Sequence, residues 1–311
     1  MLLIGSGPVE GSQTAREPSE TVIMKELPDR IQVWLGKSLF TEYVFSYPSR
    51  PYLYPIYGPA QAPMTRNWPM VDAPGESKDH PHQRSLWFAH GKVNGIDFWS
   101  ELPGAGSVKH RKFEAVESAK DHGTIKTAND WVDKDGKLIC TDERTMRFSV
   151  SKINKTSRII DFEITIRASE GELIFGDTKE GTMGIRIAES MKVAKGSGHI
   201  INSEGLRDGQ AWGKRAKWCD YFGSIGPNAA GIAIFDHPSN PRFPTWWHVR
   251  DYGLFAANPF GKHDFESLPD KAAGELKLPA GSALTFKYRF LFHEGNEKQG
   301  QVGEEYACFA K

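Results

Sequence analysis

Residues 160–167, with the sequence IDFEITIR, decide the fold, because apolar and polar side chains alternate there without a break. A period of two places successive side chains on opposite faces of a β-strand, so this segment predicts a strand with one buried face and one solvent-exposed face. Residues 146–151 alternate in the same way, and a turn-like sequence at 154–156 connects the two segments. We therefore expect these segments to form a β-hairpin.

The same alternation recurs at residues 31–35 and 284–292. No segment keeps a helical period beyond about 12 residues, and strands do not alternate with helices as they do in a doubly wound sheet. The chain also lacks the fixed-length repeat that would indicate a propeller or a solenoid. The sequence therefore predicts an all-β fold, a large antiparallel β-sandwich with few short helices.

Two segments differ from this pattern. Residues 1–20 are rich in Gly, Ser, Pro and Glu without an apolar period, so we expect a flexible leader before a single β-sandwich domain at 21–311. Residues 47–74 combine many prolines with Tyr and Trp. Because proline cannot donate a hydrogen bond to a strand ladder, we expect an ordered aromatic loop here and not a central strand.

The composition excludes several classes of function. Lys plus Arg equals Asp plus Glu at 39 each, and no long basic run is present, so nucleic acid is not an expected partner. The three cysteines lie far apart without CxxC spacing, which indicates neither a zinc site nor a disulfide framework. No apolar run reaches the length of about 18 residues that a membrane span needs. Oligomeric state and compartment stay open: a removed signal peptide would imply the periplasm or secretion, and its absence the cytoplasm.

The densest polar cluster lies at residues 79–91, DHPHQRSLWFAHG, which holds three of the ten histidines. In an extended chain His80, His82 and Arg84 would project to the same side. Imidazole exchanges protons near neutral pH, and arginine can hold a carboxylate or an oxyanion. The cluster therefore predicts proton transfer or substrate binding. Two alternatives stay open, a divalent metal held by His80, His82 and His90, and a purely structural hydrogen-bond cluster. No cofactor is predicted.

A second cluster spans residues 176–189, where Asp177, Lys179 and Glu180 precede an apolar strand pattern. Arg186 should point to the face opposite Met183 and the other apolar residues, so these charges could meet a polar ligand. The alternative is a solvated turn followed by an edge strand.

A third group spans residues 243–261 and contains Trp246, Trp247, His248 and Asn258. Adjacent tryptophans in a strand face opposite ways, so Trp247 could join the core while Trp246 offers a flat ring to a sugar, with His248 on the same face. A structural role for both tryptophans and for His248 is the alternative. The motifs GxxxxGK[ST], GxGxxG and GxSxG are all absent from the chain, so neither a nucleotide cofactor nor a serine hydrolase is indicated.

At four segments the chain resembles the family of bacterial proteins labelled DUF6807, often named methane oxygenase PmoA. The segments are residues 79–91, 176–181, 202–205 with 212–216, and 248–253. Gln83 and Ser85 stand where the family commonly has His and Gly. The resemblance implies a soluble sandwich similar to the galactose-mutarotase-like supersandwich, and a sugar as ligand. The monooxygenase subunit in the family's label is an integral membrane protein, whereas this chain has no spanning segment.

Together these observations predict a carbohydrate-active enzyme that performs acid/base chemistry, as an epimerase, a lyase or a glycoside-cleaving enzyme, in one cleft. The expected partner is a small-molecule or oligosaccharide substrate. A non-catalytic carbohydrate-binding protein and a metal-dependent oxygenase are the alternatives. The candidate catalytic residues are His80, His82, His90, His248 and Glu180. The candidate substrate-binding residues are Arg84, Arg186, Asp177, Lys179, Trp246 and Asn258.

Overall fold

The computed structural model describes residues 21–311, so the predicted leader at 1–20 lies outside the described residues. The strands are β1 (Val22–Glu26), β2 (Arg30–Leu35), β3 (Ser38–Val44), β4 (Tyr52–Ile56), β5 (Leu86–His90), β6 (Ser107–Ser118), β7 (Gly123–Val132), β8 (Leu138–Val150), β9 (Arg158–Arg167), β10 (Leu173–Phe175), β11 (Gly181–Arg186), β12 (His199–Asn202), β13 (Trp218–Ile225), β14 (Asn228–Asp236), β15 (Trp246–Val249), β16 (Leu254–Asn258), β17 (Leu276–Leu278) and β18 (Ala283–Glu294). The helices are α1 (Lys262–Glu266) and α2 (Val302–Phe309).

The strands form two antiparallel sheets of eight strands each. The first sheet has the order β1-β2-β3-β4-β5-β11-β16-β15, and the second has the order β12-β13-β14-β18-β9-β8-β7-β6. A separate small ladder pairs β10 with β17. The predicted all-β, antiparallel architecture with few short helices is confirmed.

The apolar sides of the two sheets pack against each other as layers of a sandwich. Phe40 of the first sheet lies 6.2 Å from Phe148 and 5.8 Å from Phe292 of the second, measured between ring centroids. Phe88 and Phe162 stack across the same interface. Such apolar contact between sheets supplies most of the burial that stabilises a sandwich.

Strand β9 shows why the alternation in residues 160–167 is decisive. Ile160, Ile164 and Ile166 are fully buried between the sheets, whereas Glu163 and Arg167 face solvent on the other side. The strand pairs with β8 on one edge and β18 on the other, so its register fixes both neighbours. The predicted hairpin of β8 and β9 is confirmed.

The expectation of a loop throughout residues 47–74 is wrong, because β4 lies inside the first sheet between β3 and β5. Its ladder with β5 has only two partners, at Tyr52 and Leu53, and its register against β3 is irregular. Pro55 falls beyond the paired residues on the β5 side, where no backbone donor is needed. Proline is therefore excluded from the hydrogen-bonded positions of the ladder, as expected, although the segment that contains it forms a strand.

Strand β11 is central and not an edge strand, which removes the solvated alternative for residues 181–186. It pairs with β5 on one side and β16 on the other, and every one of its residues is buried. Met183 and Ile185 join the core between the sheets. The opposite face of the first sheet carries a second apolar cluster that includes Trp87, Trp99 and Ala256. Loops cover this outer face, and the candidate site lies among them.

Replacing Ile164 by alanine is expected to lower the free energy of unfolding by about 2–5 kcal/mol, because the lost methyl groups leave a cavity in a fully buried site. Chemical denaturation measures the loss. Arg167→Ala in the same strand is the control, and it should cost less than about 1 kcal/mol because its ion pair with Glu143 is exposed. Equal losses in the two variants would contradict the assignment of the buried face.

Candidate functional site

A cavity of about 420 Å³ opens on the outer face of the first sheet. It is lined by His80, His82, Gln83, Gly91, Asp97, Trp99, Ser100, Thr178, Lys179, Glu180, His248, Arg250 and Tyr252. The lining comes from four loops and from His248 of β15. Among the predicted residues, the cavity brings together His80, His82, Lys179, Glu180 and His248. His90, Arg84, Arg186, Asp177, Trp246 and Asn258 do not line it.

The segment that carries His80 and His82 is a turn, so the expectation of an extended chain is wrong there. His80 has a φ of +43°, and regular strand structure begins only at Leu86. The two imidazoles nevertheless come together, with ring centroids 5.8 Å apart. Arg84 diverges from them, because the turn breaks the alternation that would have aligned all three side chains.

His80 is held between a ring and a carboxylate. Its imidazole stacks on Tyr252 at 5.1 Å with an interplanar angle of 6°, and its Nδ1 lies 3.3 Å from Oδ2 of Asp79. Burial alone would raise the pKa of Asp79, but the positive charges of Arg186 and Arg66 outweigh burial and lower the pKa. Asp79 is therefore an ionised carboxylate next to His80 near neutral pH.

His82 and His248 are held neutral near pH 7. Burial, with the charge of Arg50 adding to it, lowers the pKa of His82 to about 4. Burial likewise lowers the pKa of His248 to about 3, although its hydrogen bond to the Lys179 carbonyl opposes the shift. That bond joins Nδ1 to the carbonyl oxygen at 2.7 Å. Because a carbonyl only accepts, Nδ1 carries the proton and Nε2 keeps its lone pair.

Glu180 and Lys179 stand at the mouth of the cavity, each with about 40% of its side chain exposed, and form an ion pair of 3.4 Å. Their loop lies against Gly91, whose backbone N–H donates to the Glu180 carbonyl at 2.7 Å. A Cβ atom at position 91 would come within 2.9 Å of the Glu180 Cβ, so only glycine permits this approach.

Asp177 and Asn258 position the loop and do not face the cavity. Oδ2 of Asp177 accepts the backbone N–H groups of His263 at 2.8 Å and Gly274 at 2.5 Å. Nδ2 of Asn258 donates to the carbonyls of Thr178 and Lys179, both at 2.9 Å. These bonds satisfy buried backbone groups, and neither side chain lines the cavity.

Arg84 and Arg186 are both paired within the protein. Arg84 forms a bidentate ion pair with Glu101 at 3.0 Å. Arg186 donates to Gln83 at 2.6 Å and to Asp79 at 2.9 Å from the outer face of β11, the face predicted for it. A guanidinium that is already neutralised has little capacity left for a ligand anion.

His90 points to the core between the sheets and not to the cavity. It has the same parity in β5 as Leu86 and Phe88, and its ring packs against Phe260 at 4.7 Å. Burial lowers its pKa to about 4, and Nε2 bonds the Gly176 carbonyl at 2.8 Å. A metal site of His80, His82 and His90 does not form. In residues 21–311 no group of three His, Cys, Asp or Glu side chains is arranged to hold a metal ion.

Trp246 and His248 share the outer face of β15, as predicted, but they lie in different cavities. Trp246 lines a second cavity of about 460 Å³ together with Lys214, Arg215 and Phe265. Its ring is only 4% exposed and lies under the Arg215 guanidinium, 4.6 Å from the ring centroid. Because the cation covers the ring, Trp246 does not present an open face for stacking on a sugar.

The sequence profile of one family, described as a family of unknown function (DUF6807), matches residues 30–307. The chain belongs to the DUF6807 family. The predicted resemblance is thus confirmed, whereas the methane oxygenase PmoA label is not. A search among curated proteins found no match for this DUF6807 chain. Neither helix among the described residues is long and apolar enough to cross a membrane.

Solved structures similar to this DUF6807 chain include a GalM/aldose epimerase homologue from C. elegans, with 10% identity, a TM-score of 0.35, and coverage of 89% of this chain and 100% of that one. A galactose 1-epimerase from Lactobacillus acidophilus NCFM has 8% identity, a TM-score of 0.38, and coverage of 90% and 100%. A glycoside hydrolase family 97 enzyme from Pseudoalteromonas sp. strain K8 has 10% identity, a TM-score of 0.35, and coverage of 92% and 36%.

Sequence reasoning missed several residues of the site in this DUF6807 member. Arg250 and Tyr252 follow His248 at intervals of two, so continuing the alternation would have found both. Trp99 packs on Trp87 at 5.0 Å, a contact that brings the loop at 97–101 over the sheet. Asp97 fixes that loop, since its Oδ1 accepts the backbone N–H groups of Trp99 and Ser100. The long-range packing of this loop has no signal in the sequence.

The imidazole of His248 is expected to stay neutral well below its usual pKa of 6.5, because burial disfavours its charged form. Its contribution to stability is therefore complete above pH 6.5 and is lost as the pH falls towards about 3. NMR titration of the histidine rings measures the pKa directly. Thermal melts between pH 7 and 4 should show a smaller loss in His248→Gln than in the parent chain. A His248 midpoint near 6.5 would contradict this geometry.

Proposed function

We propose that this protein is a carbohydrate-active enzyme that transfers protons at a sugar carbon or hydroxyl. The observation that carries the proposal is the convergence of three imidazoles, from His80, His82 and His248, on one cavity of about 420 Å³ with Glu180 at its mouth. General acid/base catalysis needs an unprotonated group that can accept a proton and a second group that can donate one, both within one pocket.

The two sides of the cavity suit opposite roles. His248 keeps a lone pair on Nε2, because its Nδ1 donates to the Lys179 carbonyl, so it suits a general base. The Nδ1 of His80 lies 3.3 Å from Oδ2 of Asp79, where a carboxylate can pair with a proton-donating imidazole, so we assign His80 the role of general acid. Two titratable groups in different surroundings within one pocket are the usual basis of acid/base assignments.

The rest of the lining suits a polyhydroxylated ligand. Gln83, Ser100 and Thr178 bring amide and hydroxyl groups that can bond sugar hydroxyls, and Trp99 adds an apolar ring. The volume falls within the range of about 300–1,000 Å³ that small-molecule sites occupy. Epimerisation, elimination and glycoside cleavage all use such a set of groups. No step is assigned to a metal, because the described residues do not form a suitable group of ligands.

His248→Gln and His80→Gln are expected to lower turnover by about 10²–10⁴-fold, the usual contribution of a general acid or base. The screen incubates the protein with mono- and oligosaccharides and follows anomeric exchange, new double bonds and new reducing ends by NMR. His199→Gln, an exposed histidine outside the cavity, is the matched control and should keep full activity. Unchanged turnover in both cavity variants would remove these residues from the mechanism. Sugar binding without any product would contradict a catalytic function and indicate a carbohydrate-binding protein.

A further inference from the structure

Arg250 is a cavity residue without a partner of opposite charge. Its guanidinium lies 5.6 Å from the ring centroid of Tyr252 and 5.8 Å from that of Trp212. Among residues 21–311 its side chain forms neither a hydrogen bond nor an ion pair with any other residue. The arginines predicted to bind substrate, Arg84 and Arg186, are by contrast both paired with carboxylates.

The ring contacts leave the hydrogen-bonding capacity of Arg250 unused. A guanidinium carries five N–H donors at the edge of a plane, whereas an aromatic ring interacts with the positive charge and accepts no full hydrogen bond. A planar cation held between rings is preorganised for a bidentate anion, because less side-chain freedom is lost when the anion binds.

The other charges of the cavity do not neutralise Arg250. Glu180 is paired with Lys179 at 3.4 Å. Asp97 has its oxygen atoms bonded to the backbone and hydroxyl of its own turn. Its charge acts on His82, whereas the charge of Arg250 acts on His248 and, together with that of the Lys179-paired Glu180, on Tyr252. The His248 side of the cavity is therefore the side that can take up an anion.

We propose that Arg250 binds the anionic substituent, a carboxylate or a sulfate, of an acidic sugar. The inference rests on the proposed sugar-binding function of the same cavity and names its substrate class. An anion on Arg250 lies beside the His248 imidazole and the Tyr252 ring on which His80 stacks. Arg250 thus takes the role that the sequence pattern suggested for Arg84 and Arg186.

Calorimetry on the full chain tests the proposal with glucuronate and galacturonate as carboxylate probes, glucose 6-sulfate as the sulfate probe, and glucose and galactose as neutral probes. At least one class of acidic sugar should bind about tenfold more tightly than its neutral counterpart. Arg250→Gln should weaken that binding by about 10–100-fold, the size expected for a charge-assisted hydrogen bond, and should leave neutral sugars unchanged. Which acidic probe responds identifies the anion.

Arg147→Gln is the matched control, since it removes the same charge from an exposed side chain of β8 and should bind like the parent. Arg250→Lys keeps the charge but loses the bidentate guanidinium, so its affinity for the acidic sugar should lie between those of the parent and of Arg250→Gln. It replaces Arg250→Gln in the test if that variant does not fold. Equal binding of acidic and neutral sugars, or equal effects of the Arg147 and Arg250 variants, would overturn this inference and leave a sugar site in place. If no sugar binds the parent chain, both this inference and the proposed function are contradicted.

Discussion

The carboxylate of Asp79 lies between two buried guanidinium groups, and the geometry of the candidate site depends on this bridge. Its Oδ1 accepts from Arg66 at 2.5 Å and from Arg186 at 2.9 Å. Both arginine side chains are fully buried, and burial together with the charge of Arg66 lowers the pKa of Arg186 to about 10. Two like charges out of water require a shared counter-ion, since unpaired buried charges are strongly destabilising. Asp79 supplies it.

The bridge also links the centre of a sheet to a loop that has no regular structure. Arg186 belongs to the central strand β11, while Arg66 donates further bonds to the carbonyls of Trp68, Ser77 and His80. The next residue along the loop from Asp79 is His80, whose ring stacks on Tyr252. The ion pair of Asp79 with Arg186 thus ties the loop to a rigid strand and fixes the position of the His80 imidazole. A catalytic side chain needs such a fixed position.

Local sequence patterns predicted the strands and the faces of their side chains. They did not predict ion pairs between residues from distant segments. The alternation in residues 160–167 predicts β9, and the same rule applied to β5 would have placed His90 in the core with Phe88. The pairing of Arg84 with Glu101, and of Arg186 with Asp79, joins residues 17 and 107 positions apart, and no local pattern predicts which carboxylate neutralises which cation. The sequence thus identifies the chemical groups of the site but not the residues with which they pair.

The free energy of unfolding of Asp79→Asn, compared with that of Asp72→Asn, tests the bridge most directly. Both changes remove one carboxylate charge, and Asp72 forms an exposed ion pair with Lys78. Asp79→Asn should cost at least about 2 kcal/mol, because it leaves Arg66 and Arg186 buried without a counter-ion, whereas Asp72→Asn should cost less than about 1 kcal/mol. Equal and small losses would show that the two guanidiniums do not need Asp79, and would contradict its role in holding the site together.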